Sequence, residues 1–194
     1  MFRYIISLVT AFATLFTPTS SFGEIQKVRI KWLPGICSEQ CGQLLIKEYQ
    51  KLPGVAQVYM NLPIAEAVLI WKPNVPFSFI SVRNAMSMVG VRYRDMHLSV
   101  RGTIRKQGSN YFIVSLGDNT PFVLVGPLAA KAGQYVIQYN IASHPLTPYL
   151  IQQLDDAITN SRVAVIQGPL FMPEWPPPSY LTIAELSLEV TPPQ

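Results

Sequence analysis

The sequence predicts an α+β protein in which a βαββαβ unit is followed by a five-stranded β-barrel. Three observations lead to this prediction. In the first half, apolar residues recur alternately at strand and helix spacing, in the order strand, helix, strand, strand, helix, strand. The second half contains five strand-like runs, with one helical run between the third and the fourth. Turn-forming Pro, Gly, Asn and Asp residues separate these runs.

The N-terminus is typical of an export signal. Arg3 precedes an apolar stretch over residues 4–16, and small residues follow at Ser21 and Gly23. The alternative is a membrane anchor that is retained, but the stretch is shorter than the roughly 20 residues that a spanning helix needs. We therefore expect residues 1–23 to be a secretory signal peptide, and the mature protein to be periplasmic or secreted, with no stable membrane span. Such a compartment is oxidising and lets disulfides persist.

Composition restricts the classes of function. The chain is 49% hydrophobic and only 13% charged. Without residues 1–23 it keeps 14 basic and 11 acidic residues, a net charge of +3. Dedicated nucleic-acid binders usually carry a clustered basic face, so this composition does not favour a nucleic-acid partner. The sequence also contains no phosphate-binding glycine loop, metalloprotease helix or serine-elbow motif. We therefore predict that the protein is not an enzyme.

Residues 24–95 carry the signals of the first unit. The first strand alternates Val28, Ile30 and Trp32 with basic residues, and Pro34-Gly35 then turns the chain. Ser38 and Ser78 are the predicted N-caps of the two helices. The expected inner faces are Cys41, Leu44, Leu45, Glu48 and Leu52 in the first helix, and Phe79, Val82, Met86 and Val89 in the second. This element order is that of a ferredoxin-like domain.

Residues 96–194 predict a second unit with the element order of an OB-fold. The predicted strands begin near Leu98, Tyr111, Pro121, Val163 and Tyr180, and the predicted helix covers residues 149–160. Some OB-folds stack nucleic-acid bases on exposed aromatic rings. We expect the aromatic residues here to fill the barrel and its mouth instead: Tyr111, Phe112, Phe122, Tyr135 and Tyr139.

The only two cysteines, Cys37 and Cys41, lie between the first predicted strand and the first predicted helix. Four interpretations are open. The pair binds a soft metal ion, because the start of a helix favours anionic sulfur. It forms a disulfide, since Cα atoms one helical turn apart are within bridging distance. Cys41 is a small buried apolar residue and Cys37 a loop residue. The last interpretation, catalytic thiol chemistry, lacks a base nearby in sequence.

The region of residues 26–95 resembles the heavy-metal-associated domain of copper and mercury chaperones and of metal-pumping ATPases. In that family a loop Gly-Met-Thr-Cys-x-x-Cys precedes the first helix, and a Gly-Val step precedes the second strand. Here Gly54-Val55 follows Cys41 at the family's spacing, Gly35 matches the family's glycine, and Gly90-Val91 matches its later Gly-Tyr step. In this register the family's first cysteine falls on Ser38, so the motif is Cys-x-x-x-Cys.

The resemblance implies that Cys37 and Cys41 are the ligands of a soft metal ion, with Cu(I) as the expected ion. The alternative is a non-catalytic envelope protein with a degenerate metal-binding domain, which binds another protein through its free sheet face or its barrel. Met96 and His97, at the predicted boundary, are also copper ligands in principle. We expect Met96 to pack in the core and His97 to lie at the surface or between the units.

Overall fold

A computed structural model of the chain describes residues 25–129 and 139–189. The predicted signal region, residues 1–23, and Tyr135 lie outside the described residues. Within the described ranges the protein is α+β, with three α-helices and nine β-strands. The helices are α1 (Glu39–Gln50), α2 (Phe79–Met88) and α3 (Pro148–Thr159), and the strands are β1 (Ile25–Trp32), β2 (Val55–Asn61), β3 (Glu66–Trp71), β4 (Tyr93–Gln107), β5 (Asn110–Ser115), β6 (Pro121–Val125), β7 (Val163–Phe171), β8 (Ser179–Thr182) and β9 (Glu185–Leu188).

The first four strands form an antiparallel sheet in the order β2-β3-β1-β4. Alternate residues of β1 and β3 are buried, as a half-buried sheet requires. Their buried side chains share one hydrophobic core with the apolar residues of α1 and α2. Serine side chains cap both helices as predicted, because Ser38 Oγ accepts the Cys41 N–H and Ser78 Oγ accepts the Ser81 N–H.

The inner face of α1 differs from the predicted one. Leu45 and Tyr49, one turn apart, are completely buried, whereas the Leu44 side chain is 52% exposed. The apolar spacing did not include Tyr49, because tyrosine combines a large apolar ring with a polar hydroxyl. The α2 prediction is confirmed for Phe79, Val82 and Met86, which are buried.

A closed five-stranded barrel follows the sheet. Its strand order is β4-β5-β6-β8-β7, and the β4–β7 pairing closes it. All of its pairings are antiparallel except that of β6 with β8, which is parallel. The barrel interior is filled by side chains such as Tyr111, Ile113, Phe122, Ile166 and Leu181, which are almost completely buried.

The long strand β4 connects the sheet and the barrel. Its first part pairs with β1 over Tyr93–Val100, and its second part pairs with β5 over Gly102–Gln107. On its other edge, residues 97–103 pair with β7. The predicted boundary between residues 95 and 96 therefore falls inside a continuous strand, and hydrogen bonding passes from one unit to the other without a linker.

The predicted final strand over residues 180–190 is divided into β8 and β9. Between them the Ile183 N–H donates to Val125 O, and the Ala184 N–H donates to Gln167 O. Both β8 and β9 pair with β7, and of the two only β8 also pairs with β6, so the strand is interrupted where the chain leaves β6. Gly168 of β7 lies under this crossing, where a Cβ would be 1.8 Å from Thr182 O.

One continuous hydrophobic cluster contains residues of both the sheet and the barrel, including Trp32 and Leu45 from the first part and Phe122 and Leu154 from the second. Of the helices in the described ranges, none combines the length and the apolar character that crossing a membrane requires.

Candidate functional site

The cysteine loop joins β1 to α1. After Trp32 the chain turns at Pro34 and Gly35, and Gly35 adopts the left-handed conformation with φ +81°. No atom lies within 4 Å of a Cβ placed on Gly35, so the requirement for glycine comes from the backbone angle alone. This turn directs the chain towards α1. Cys37 precedes the N-cap Ser38, and Cys41 lies in the first turn of the helix.

The start of α1 is held by Ser38. Its Oγ accepts a hydrogen bond of 3.4 Å from the Cys41 N–H, and its carbonyl accepts one of 2.9 Å from the Gly42 N–H. Glu39 adds an acidic side chain to the first turn, where the positive end of the helix dipole stabilises it. The cap fixes the position of Cys41 independently of any bond that its sulfur makes.

Cys37 and Cys41 form a disulfide, with their Cα atoms 5.3 Å apart. The pair thus takes one of the four forms that the sequence left open. In this bridged form neither sulfur is a thiolate, which is the form that binds a metal ion. A metal site at this position therefore exists only when the pair is reduced.

Both cysteines are partly buried and pack against the edge of the core. Apolar side chains beside them on the chain are left exposed: Leu33 and Ile36 by 53% and Leu44 by 52%. We call these three residues the apolar rim. The rim was not predicted from the sequence. One signal for it was available: Leu33 and Ile36 flank the Pro34-Gly35 turn and belong to neither the strand nor the helix periodicity.

The donors at this loop suit one kind of ion. Two sulfurs satisfy Cu(I), which accepts nearly linear two-sulfur coordination, whereas structural zinc needs four protein ligands. In the described ranges, no group of three or more His, Cys, Asp and Glu side chains is arranged to hold a metal ion. The reduced pair would therefore fit a two-coordinate soft ion, and it would not fit a zinc centre.

The other sequence-predicted candidates lie on β4. Met96 is 2% exposed and belongs to the core. His97 projects from the opposite face of the strand, and its Nε2 is 2.7 Å from Asp95 Oδ2. Hydrogen bonding to His97 lowers the pKa of the Asp95 carboxyl. Among the described residues, His97 forms no metal-ligand group with the two cysteines.

The aromatic residues of the second unit divide by burial. Two of them are buried in the barrel: Tyr111 is 3% exposed, and Phe122 is completely buried. Tyr111 also donates a hydrogen bond of 2.7 Å to Asp155 of α3. Phe112 is partly buried, and Tyr139 is 63% exposed. Tyr111 and Phe122 therefore have the packing role that the sequence analysis expected, and neither presents a ring for stacking.

Comparisons of the chain with protein-family models, with curated proteins and with solved structures found no match.

Proposed function

We propose that this chain is an exported, non-catalytic metal-binding protein whose first unit, a ferredoxin-like domain of the heavy-metal-associated type, carries one Cu(I) ion on reduced Cys37 and Cys41. The strand order β2-β3-β1-β4, with two helices on one face, supports the ferredoxin-like assignment. The barrel order β4-β5-β6-β8-β7, with β6 and β8 parallel, supports an OB-fold as the second unit. Residues 1–23 are its signal peptide, the periplasm is its location, and nucleic acid is not a partner.

One observation carries the proposal: Cys37, just before the N-cap of α1, and Cys41, in its first turn, direct their sulfurs towards each other, with Cα atoms 5.3 Å apart. A single two-coordinate ion can bridge two thiolates that are this close. If the two side chains pointed in opposite directions, they could not share one ion.

The proposal makes metal uptake depend on the redox state of the pair. Reduction breaks the S–S bond, consumes two electrons and two protons, and leaves two thiols. The electrons come from a dithiol reductant, which becomes a disulfide. Cu(I) then displaces the thiol protons, so binding is strongest where the thiols are readily deprotonated.

Competition with a colorimetric Cu(I) chelator tests the proposal. We expect the reduced mature protein to take about one Cu(I) from the chelator, and the oxidised protein to take none. Cys41→Ser should abolish the uptake. Ser78→Ala is the matched control, because it removes the equivalent side-chain cap from α2 and leaves the cysteine loop unchanged; its uptake should equal that of the wild type. Equal uptake by the Cys37→Ser/Cys41→Ser variant would rule the proposal out.

A second candidate function is an envelope protein-interaction module. The apolar rim favours it, because Leu33, Ile36 and Leu44 are all more than half exposed beside a loop that the disulfide closes. A photo-crosslinking residue at position 44 should give a specific adduct in the exporting cell. The same residue at Tyr149, which is 67% exposed on α3, is the control. Equal labelling from both positions, or none, would exclude this candidate.

A further inference from the structure

The helix-free face of the sheet continues onto the barrel. In the pairing of β1 with β4, Arg29 is opposite His97 and Lys27 is opposite Ser99. In the pairing of β4 with β7, His97 is opposite Pro169 and Ser99 is opposite Gln167. Opposed residues in a sheet project from the same face. The side chains of Lys27, Arg29 and His97 therefore share one outer surface with those of β7, and Ser99 lies on the same face but is only 8% exposed.

One end of this surface is a small cavity of about 230 Å³. Its lining includes two cations, Lys27 and Arg29, and one carboxylate, Glu185. Lys27 forms no ion pair with the described residues. The Arg29 Nε is 3.9 Å from Glu66 Oε1, and the other Glu66 oxygen is closer to the Lys31 amine, at 3.6 Å. With two cations and the Glu185 carboxylate, the lining keeps a formal charge of +1.

The other end is a larger cavity of about 670 Å³. This volume is in the range of small-molecule sites, which reach about 1,000 Å³. Its walls are mainly apolar, and they come from the start of β4, from β7, from the link between β8 and β9 and from the loop after β6. They include Leu128, Pro169, Leu170, Phe171 and Ile183. Arg94 and Asp95 of β4 add charged groups to this lining.

His97 and Ala184 line both cavities. The two spaces therefore adjoin, with the cations at one end and the apolar walls at the other. His97 is held at the junction by its hydrogen bond to Asp95. Such an arrangement separates a charged head from an apolar body along one ligand.

We infer that this composite groove binds a small amphiphile that has one anionic head, such as a carboxylate, and an apolar body. The head lies between Lys27 and Arg29, where the exposed amide of Gln167 adds a neutral hydrogen-bond donor. The Ser99 hydroxyl already donates to Gln26 Oε1, at 3.3 Å. The apolar body lies along Pro169, Phe171 and Leu128 and is removed from water. The inference is independent of the cysteine pair.

Calorimetric titration of the mature protein with its disulfide intact tests this inference, with decanoate, 1-decanol and acetate as probes. We expect decanoate to bind most tightly, because it alone combines the head and the body. Lys27→Gln/Arg29→Gln should weaken decanoate at least about tenfold, the loss expected for a charge-assisted hydrogen bond. The same variant should change the affinity for 1-decanol less than about twofold, since no charge is involved.

Matched controls separate the site from general charge effects. Lys72→Gln/Arg92→Gln removes the same two charges from exposed positions that line neither cavity, and it should leave decanoate binding within about twofold. Leu128→Ser replaces a 41% exposed residue of the apolar wall and should weaken decanoate and 1-decanol together.

Three results would overturn the inference: no binding of decanoate, decanoate binding no tighter than 1-decanol or acetate, and an unchanged affinity in the Lys27→Gln/Arg29→Gln variant. The Cys37→Ser/Cys41→Ser variant should bind decanoate normally. Its failure to bind Cu(I) is therefore distinguishable from a failure of the groove.

Discussion

Reduction of the Cys37–Cys41 disulfide is expected to destabilise the fold only slightly. The bridge joins residues four apart, so it closes a loop of only five residues. The chain-entropy relation gives about 2 kcal/mol at 25 °C for a loop of this length. Domains of this kind have free energies of unfolding of about 5–15 kcal/mol. The reduced protein should therefore remain folded, as the metal-binding proposal requires.

The local structure supports the same conclusion. Ser38 caps α1 through its own hydroxyl and carbonyl, and Leu45 and Tyr49 anchor the helix in the core. None of these contacts depends on the S–S bond. The capped start of α1 should thus keep the Cys41 thiol close to that of Cys37 after reduction.

Urea unfolding followed by far-UV circular dichroism measures the effect. The oxidised protein, the protein with dithiothreitol and the Cys37→Ser/Cys41→Ser variant are compared at one pH. We expect the latter two to lose about 2 kcal/mol of unfolding free energy and to keep the native spectrum without urea. Loss of the native spectrum on reduction alone would refute the reasoning, and so would an unchanged free energy of unfolding.

Three further predictions concern stability, each measured by urea unfolding. Tyr49→Phe should stabilise the protein by about 1 kcal/mol, because the buried Tyr49 hydroxyl has no hydrogen-bond partner among the described residues. Burial also raises the pKa of Tyr49 above its ordinary value of 10.0. Because the unfolded state then loses the tyrosine proton first, the unfolding free energy of the wild type should fall as the pH rises above 10.0, and that of the variant should lack this contribution. The same pH dependence above 10.0 in both proteins would contradict this. Gly168→Ala should lower the unfolding free energy by about 1–3 kcal/mol, since the new Cβ clashes with the backbone of Thr182 and no side-chain movement can relieve the clash. An unchanged unfolding free energy would contradict the close approach of Thr182 to Gly168. Arg101 holds Glu189 through two hydrogen bonds of 2.7 Å and lowers the pKa of its carboxyl. Glu189→Gln should therefore cost about 0.5–1 kcal/mol at neutral pH, and the difference from wild type should vanish as the pH falls below the pKa of the carboxyl; a difference that persists in acid would refute the assignment.

The helix starts and most of the strands could be predicted because their signals are local. Ser38 and Ser78 act as N-caps through hydrogen bonds within three residues, and such bonds depend on the nearby sequence alone. The face of α2 followed from simple apolar spacing. In α1, whether Leu44 or Tyr49 is buried depends on the side chains with which the sheet contacts the helix. The apolar spacing of the helix carries no information about those contacts.

The features that were missed depend on contacts distant in sequence. The continuity of β4 arises because β1, β5 and β7 pair with different parts of it. The division between β8 and β9 arises from hydrogen bonds to Val125 and Gln167, in two different strands. Neither the continuity of β4 nor the division between β8 and β9 produces a periodic pattern in the sequence.

The candidate site could be located from the sequence, but its form could not. The positions of Cys37 and Cys41 at the start of a capped helix followed from local signals. Whether the pair is bridged did not, because the same Cα separation allows both a disulfide and a shared ion. The groove at Lys27 and Arg29 was not predicted, since its apolar end is formed by strands and loops more than 60 residues away in the chain.

X-ray absorption at the copper edge tests the central claim most directly. The reduced mature protein is loaded with one equivalent of Cu(I), and the first coordination shell is fitted. The account predicts two sulfur neighbours for each copper, and loss of this two-sulfur shell in the Cys41→Ser variant. A shell of nitrogen or oxygen atoms, or an unchanged sulfur shell in that variant, would contradict it.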